Sequence, residues 1–356
     1  MWGWRTAGIE TYSHCMYGGL WSNMLFDDSV EEARVGPLPI SAGAAWWSAA
    51  ASGAGAQPGN CSVRGGNQAM NGNQSLLLGA GCTAVNRGLV VTSAETSMHF
   101  VGAQPYEGYV FLQGSSPGAT ATVRVSLLCS PLGKVDASLA AWTTLGTADL
   151  ALGTGGAAAD MVTVAGTEGD AGAGDGAWTM FNFTITPSKD CLHAGTGASQ
   201  GQGAVSLSLV GGGGGSGKGD AGDTGVWVGA DKMMVEPGEW GRYQGMHLRA
   251  DLAETFLGQK PTMMRLGGSM TNADGFRFKY MVGPPWSRPP TDSSWIAKTS
   301  WVSLSLPVFA GCRQQHCTLP RVRFRRRPIS ACRLVDSPRD VQEPTAYPAV
   351  EVVMLF

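Results

Sequence analysis

The sequence predicts a mainly β protein with some α/β character: an antiparallel β-sandwich inserted into an incomplete (β/α) barrel fragment. Three observations carry this. Period-2 apolar alternation fills the middle of the chain, helical spacing and short apolar runs lie on either side of it, and polyglycine tracts interrupt it. The 356 residues suffice for two ordinary domains. Hydrophobic content of 43% against 15% charged residues permits a buried core, and the 52 glycines are roughly twice the usual share of about 7%.

Residues 1–30 read as the first strand and helix of a barrel. The strand ends at Ile9 and Glu10, and Trp21, Met24 and Leu25 recur at helical spacing. Residues 40–237 read as the sandwich. YEGYVFLQ (106–113), TATVRVSLL (120–128), AWTMFNFTI (177–185), AVSLSLV (204–210) and GVWVGADKMMV (225–235) alternate between Gly, Ser and Asp turns. Two low-complexity insertions, 152–177 and 211–225, are expected to be flexible surface loops. The second contains Gly212-x4-Gly217-Lys218 followed by Gly219. It lacks the Ser or Thr of a phosphate loop and a following helix, so it is a compositional coincidence and no nucleotide cofactor is expected.

Residues 240–300 read as the second helix and strand of the barrel. Leu248, Leu252 and Phe256 fall at i, i+4 and i+8, Lys260-Pro261 stops the helix, and TMMRL (262–266) is a short buried strand. Residues 301–356 break from this pattern, with eight arginines, no lysine and one glycine. So basic a patch suits RNA or an anionic polymer. The plainer reading is a disordered tail unrelated to the preceding fold. Cys312, His316, Cys317 and Cys332 match no zinc module, so no metal site is expected.

The net charge of −2 argues against a general nucleic-acid binder, and no run of about 20 apolar residues predicts a membrane span. The N-terminus has no basic start followed by an apolar stretch, so it does not read as a signal peptide. Three sequons, Asn60-Cys61-Ser62, Asn73-Gln74-Ser75 and Asn182-Phe183-Thr184, modestly favour a secretory reading. Cysteines between positions 61 and 191 are candidates for pairing in an oxidising compartment, with partners that the sequence does not specify.

The strand ending in Arg265-Leu-Gly-Gly-Ser269 places a guanidinium at a strand's carboxyl end, where α/β barrels carry their sites. Glu10 ends the other strand in the same way. One carboxylate and one guanidinium facing one mouth suit hydroxyl recognition; a salt bridge at the rim suits them equally. Tyr106, Tyr109, Trp142, Trp178 and Trp227 offer a stacking platform for sugars, although alternation places about half of strand residues inside.

Two stretches, ETYSHCMYGGLWSNMLFDDS (10–29) and LRADLAETFLGQKPTMMRLGGSMTNADGFRFKYMVGPPWSRPP (248–290), resemble the amino-terminal part of the plant-type α-L-arabinofuranosidases of glycoside hydrolase family 51. The region between them is similar to the carbohydrate-binding jelly-roll sandwich that such members carry at this place. The resemblance implies an arabinose-containing cell-wall glycan as partner, no cofactor, and sugar contacts from Glu10, Arg265, and Ser269 or Asn272. It also leaves Trp286, in GPPWSRPP, open between sugar stacking and the core. Retaining glycosidases need two carboxylates about 5 Å apart. In this family the acid/base follows an Asn, and the chain contains no Asn-Glu dipeptide. No catalytic residue is therefore expected. Only two of eight barrel strands are visible, which suggests a truncated or misassembled gene product whose sequence after residue 300 is out of frame or intron-derived, so residues 1–30 and 245–300 should pack on the sandwich or lack order.

Overall fold

The computed structural model describes residues 6–9, 19–31, 36–38, 46–50, 61–66, 69–88, 98–115, 120–130, 142–153, 163–164, 177–191, 203–213, 226–259, 263–266, 284–287, 323–324 and 351–354. In chain order the strands are β1 (Thr6–Ile9), β2 (Gly36–Pro37), β3 (Trp47–Ala49), β4 (Cys61–Gly65), β5 (Gln74–Leu78), β6 (Thr83–Asn86), β7 (Tyr106–Gly114), β8 (Thr120–Cys129), β9 (Thr143–Leu152), β10 (Thr163–Val164), β11 (Trp178–Ile185), β12 (Gly203–Gly213) and β13 (Val228–Pro237). Helix α1 (Ala250–Gly258) follows, then β14 (Met263–Leu266), β15 (Arg323–Phe324) and β16 (Glu351–Met354).

Two antiparallel sheets form the body. One has the order β10-β11-β7-β13-β5-β4-β2 and the other β3-β6-β12-β8-β9. The chain passes from one sheet to the other at β2–β3, β3–β4, β5–β6, β6–β7, β7–β8, β9–β10, β11–β12 and β12–β13, the repeated crossing of a jelly roll. Alternation explains the core between the sheets. Val110 and Leu112 of β7, Phe181, Phe183 and Ile185 of β11, and Val123, Val125 and Leu127 of β8 all point inward and are buried.

Two disulfides, Cys61–Cys82 and Cys129–Cys191, staple the sandwich. The second ties the end of β8 to the segment after β11. Pairing within the 61–191 set is thus realised, with partners fixed by strand proximity that no sequence spacing encodes.

β13 carries a bulge, with the register shifting between Asp231 and Met234 and Lys232 at φ 45°. The extra residue turns the Lys232 ammonium into the interior, 3.7 Å from the Asp28 carboxylate. The Asp231 carboxylate accepts the backbone N–H groups of Met70 (2.8 Å), Asn71 (3.1 Å) and Lys232 (2.6 Å), which pins the 69–71 segment to the sheet. Burial raises the Asp231 carboxyl well above the usual carboxylate range.

Several expectations meet a different local structure. The stretch from Trp21 to Leu25, whose spacing predicts a helix, runs as extended chain, with turns following to residue 31. Tertiary bonds override the spacing: Trp21 bridges Leu248, Met24 N–H donates to the Val235 carbonyl (2.8 Å), and the Asn23 side-chain oxygen accepts from Leu25 and Val235 N–H. The start of the second glycine tract is strand, because residues 211–213 pair with Thr122, Ala121 and Thr120 beyond a bulge. Helix α1 forms as the spacing predicts, yet Ala253 is its buried residue while Leu252 and Leu257 face solvent.

β1 and β14 pair in parallel, Thr6 with Met263 through Ile9 with Leu266, and β16 and β15 extend this small sheet. Four short parallel strands, with α1 the one α-helix among the described residues, give no evidence of the expected incomplete (β/α) barrel fragment. The described parts of 19–31 and 239–259 pack against the sandwich through Trp21, Met24, Trp240 and Arg242.

Candidate functional site

The core face of the seven-stranded sheet is closed by the second sheet, so ligand access falls to its outer face. β7, β11 and β13 are adjacent there, with Asn182 opposite Tyr109, Thr184 opposite Glu107, and Glu236 opposite Glu107 on the other side. Period-2 geometry therefore brings Tyr109, Asn182, Thr184, Glu107, Met234 and Glu236 onto one surface. They line a groove of 380 Å³, which His247 closes at one end.

Gly108 permits the close approach of β7, β13 and Phe183. A Cβ there would fall on the Met234 carbonyl oxygen and 2.6 Å from Phe183 Cζ. Glu107 and Glu236 are direct cross-strand partners of like charge, an arrangement that repels unless bridged. Arg242 bridges it, donating to Glu107 at 2.6 Å and to Glu236 at 2.9 Å. Glu236, only 5% exposed, also meets His247 Nδ1 at 2.9 Å and accepts the Ser22 hydroxyl. The end of the groove is thus a rigid charged network with hydrogen-bonding groups at its surface.

At the other end the outer face is filled by protein. Trp178, Phe111, Met180 and Met70 are buried together, with Tyr109 and Trp286 packed against them. Trp286 meets Tyr109 edge-on at 5.5 Å between ring centres, and its carbonyl accepts from Asn71 Nδ2 at 2.7 Å. Arg64 lies over Trp227 (4.7 Å) and Trp178 (5.8 Å) and donates to Gln113 and Ser75.

Of the platform aromatics read from sequence, Tyr109 alone lines the groove. Tyr106 and Trp178 are buried, Trp142 packs beside Arg87, and Trp227 is capped by Arg64. Burial pushes the Tyr106 phenol up to about 12, and its oxygen accepts Val101 N–H at 2.9 Å. Among the residues expected to contact sugar, Trp286 is half-buried beside Tyr109. Arg265 lies in β14 with its backbone paired to Gly8. Glu10, Ser269 and Asn272 lie outside the described residues. The sequence carries no sign of the groove's polar residues, because Glu107, Asn182, Thr184 and Glu236 are simply the polar half of alternating strands; only the cross-strand register unites them.

A second cavity of 630 Å³ lies where the 21–26 and 237–251 segments meet the start of β7, with Trp21, Phe26, Trp240 and the Arg249–Asp251 pair on its walls. Most of its walls are connecting segments, whereas the groove is built on three paired strands, which hold side chains more rigidly. Among the described residues, no group of three or more His, Cys, Asp or Glu side chains is placed to hold a metal ion.

No protein-family model and no curated protein sequence matches this chain. Neither comparison shows membership of the arabinofuranosidase family. Solved structures do align with it. The N-terminal cellulose-binding domain of a Cellulomonas fimi β-1,4-glucanase C aligns at 13% identity and TM-score 0.28 over 57% of this chain and 97% of its own. A CBM28 module specific for non-crystalline cellulose aligns at 12% identity and TM-score 0.30 over 56% and 97%. The CBM22-1 xylan-binding domain from Paenibacillus barcinonensis Xyn10C aligns at 13% identity and TM-score 0.27 over 61% and 96%. Likenesses this distant say nothing of what this chain binds.

Proposed function

We propose that this chain is a non-catalytic glycan-binding protein whose ligand lies in the outer-face groove of β7, β11 and β13. The observation that carries the reading is the composition of that groove: the Tyr109 ring, with Phe183 and Met234 also on its walls, set among Asn182, Thr184, Glu107 and Glu236 on adjacent strands. A pyranose or furanose presents an apolar C–H face and a rim of hydroxyls. The ring takes the first, and the Asn182 amide and Thr184 hydroxyl take the second. Trp286, next to Tyr109, extends the apolar surface at one end.

Hydrolysis is not part of the proposal. Glu236 is held by Arg242, His247 and Ser22, and Glu107 by Arg242, so the two groove carboxylates are committed to a structural network. The arabinofuranosidase-like motifs favour an arabinose-containing cell-wall polysaccharide as the ligand class. In that reading Glu10, Arg265, and Ser269 or Asn272 would supply a sugar contact of their own.

Affinity electrophoresis of the full chain through gels containing arabinan, arabinoxylan, xylan or mixed-linkage glucan tests the reading. Retardation by at least one polysaccharide, weakened by Tyr109→Ala, is expected. Unchanged mobility in all four would overturn it.

A further inference from the structure

We propose that Asn182 is an N-glycosylation acceptor and that its attached sugar occupies the groove. Asn182-Phe183-Thr184 satisfies the acceptor motif. Strand alternation turns Phe183 into the core and leaves Asn182 and Thr184 exposed. Glycan transfer acts on the chain before it folds, so a place within a strand is no barrier. What folding requires is that the modified side chain end in solvent, and Asn182 does. The two disulfides match the oxidising compartment in which such transfer occurs.

Position then gives the modification a consequence. Asn182 is the cross-strand partner of Tyr109 and lines the same groove. The first sugar on Asn182 Nδ2 is therefore delivered beside the groove's aromatic ring, where a soluble glycan would otherwise stack. In the transfer, Nδ2 forms a bond to the anomeric carbon of an N-acetylglucosamine-ended oligosaccharide carried on a lipid pyrophosphate. The anomeric C–O bond breaks, the lipid pyrophosphate leaves with the bonding pair, and the amide gives up one proton. The chain would thus exist in two forms, one with an open groove and one with a covalently filled groove. The filling rests on the glycan-groove reading; the modification does not.

The test uses the full, unmutated chain made in two hosts: behind a secretion leader in a yeast, and in a disulfide-competent bacterium that attaches no N-glycans. Peptide mass spectrometry of total yeast material, before and after enzymatic removal of N-glycans, reads Asn182 directly, because removal converts a modified Asn to Asp. Asn73, also exposed, is read alongside it. Occupancy at Asn182, abolished by Thr184→Ala, is expected. An unmodified Asn182, whether or not Asn73 is modified, overturns the assignment. In the polysaccharide gels, retardation of the bacterial protein and its loss in the Asn182-glycosylated protein are expected. Equal retardation of both forms overturns the filling. Absence of retardation in the bacterial form defeats the glycan-groove reading and the filling that rests on it, while leaving the modification standing.

Discussion

Replacing Arg242 by Met should destabilise the protein by about 3–4 kcal/mol, and most of that loss should trace to a single carboxylate. Arg242 is 12% exposed and Glu236 5%, so removing the guanidinium strands a buried charge, a change that costs about 3–5 kcal/mol when one partner of a buried pair is lost. Glu107 is 39% exposed, which places its share in the surface range of about 0–1 kcal/mol. The cross-strand repulsion between the two carboxylates, no longer bridged, acts in the same direction. His247 and Ser22 remain as partners of Glu236 and bring the total toward the lower end. The assay is urea unfolding at neutral pH of wild type, Arg242→Met, Glu236→Gln and the double variant. The Arg242→Met loss should shrink by about 2 kcal/mol in the Glu236→Gln background, the coupling expected of directly interacting groups. A loss below about 1 kcal/mol, or the same loss in both backgrounds, would refute the claim that Arg242 holds the carboxylate pair together.

Three further outcomes follow from the packing. Removing the Cys129–Cys191 disulfide, which closes 62 residues of sequence separation, should cost about 4 kcal/mol, against about 3 kcal/mol for Cys61–Cys82 with its separation of 21, read from the urea midpoints of the paired Ser variants. Tyr106→Phe should cost about 1–3 kcal/mol, because the buried hydroxyl is the acceptor for Val101 N–H. The fold holds the neutral phenol, so the Tyr106 contribution is full below the ordinary tyrosine value of about 10 and is lost as pH rises through about 12; ultraviolet titration of phenolate absorbance against the Tyr106→Phe variant checks this. Gly108→Ala should cost about 2 kcal/mol or more by thermal melting, since its Cβ has no room between Met234 and Phe183.

The long strands were legible because each buries every second residue. YEGYVFLQ became β7 (Tyr106–Gly114), and TATVRVSLL became β8 (Thr120–Cys129), with ends moved by one residue. β9 (Thr143–Leu152) leaves little trace in the sequence, since TTLGTADLAL alternates only weakly and half of it faces solvent. β4 (Cys61–Gly65) and β6 (Thr83–Asn86) are short and polar, held as strands by a disulfide and by neighbouring strands. The helical spacing of Trp21, Met24 and Leu25 misled because Trp21 is bridged to Leu248, Met24 bonds to β13 and Leu25 is buried in the sandwich core, which no local period reports. The charged network was the least visible. Glu107, Glu236, Arg242 and His247 come together across 140 residues of sequence through one register, and a single polar residue in an alternating strand gives no sign of its partner.

Calorimetric titration of the unglycosylated full chain with arabinoxylan and arabinan oligosaccharides, repeated with Tyr109→Ala, tests the glycan-groove account most directly. Saturable heat with the wild-type chain, lost or weakened about tenfold or more by the substitution, a difference of about 1.4 kcal/mol in binding, is the predicted result. Absence of heat with every oligosaccharide, or binding that Tyr109→Ala leaves untouched, would contradict it.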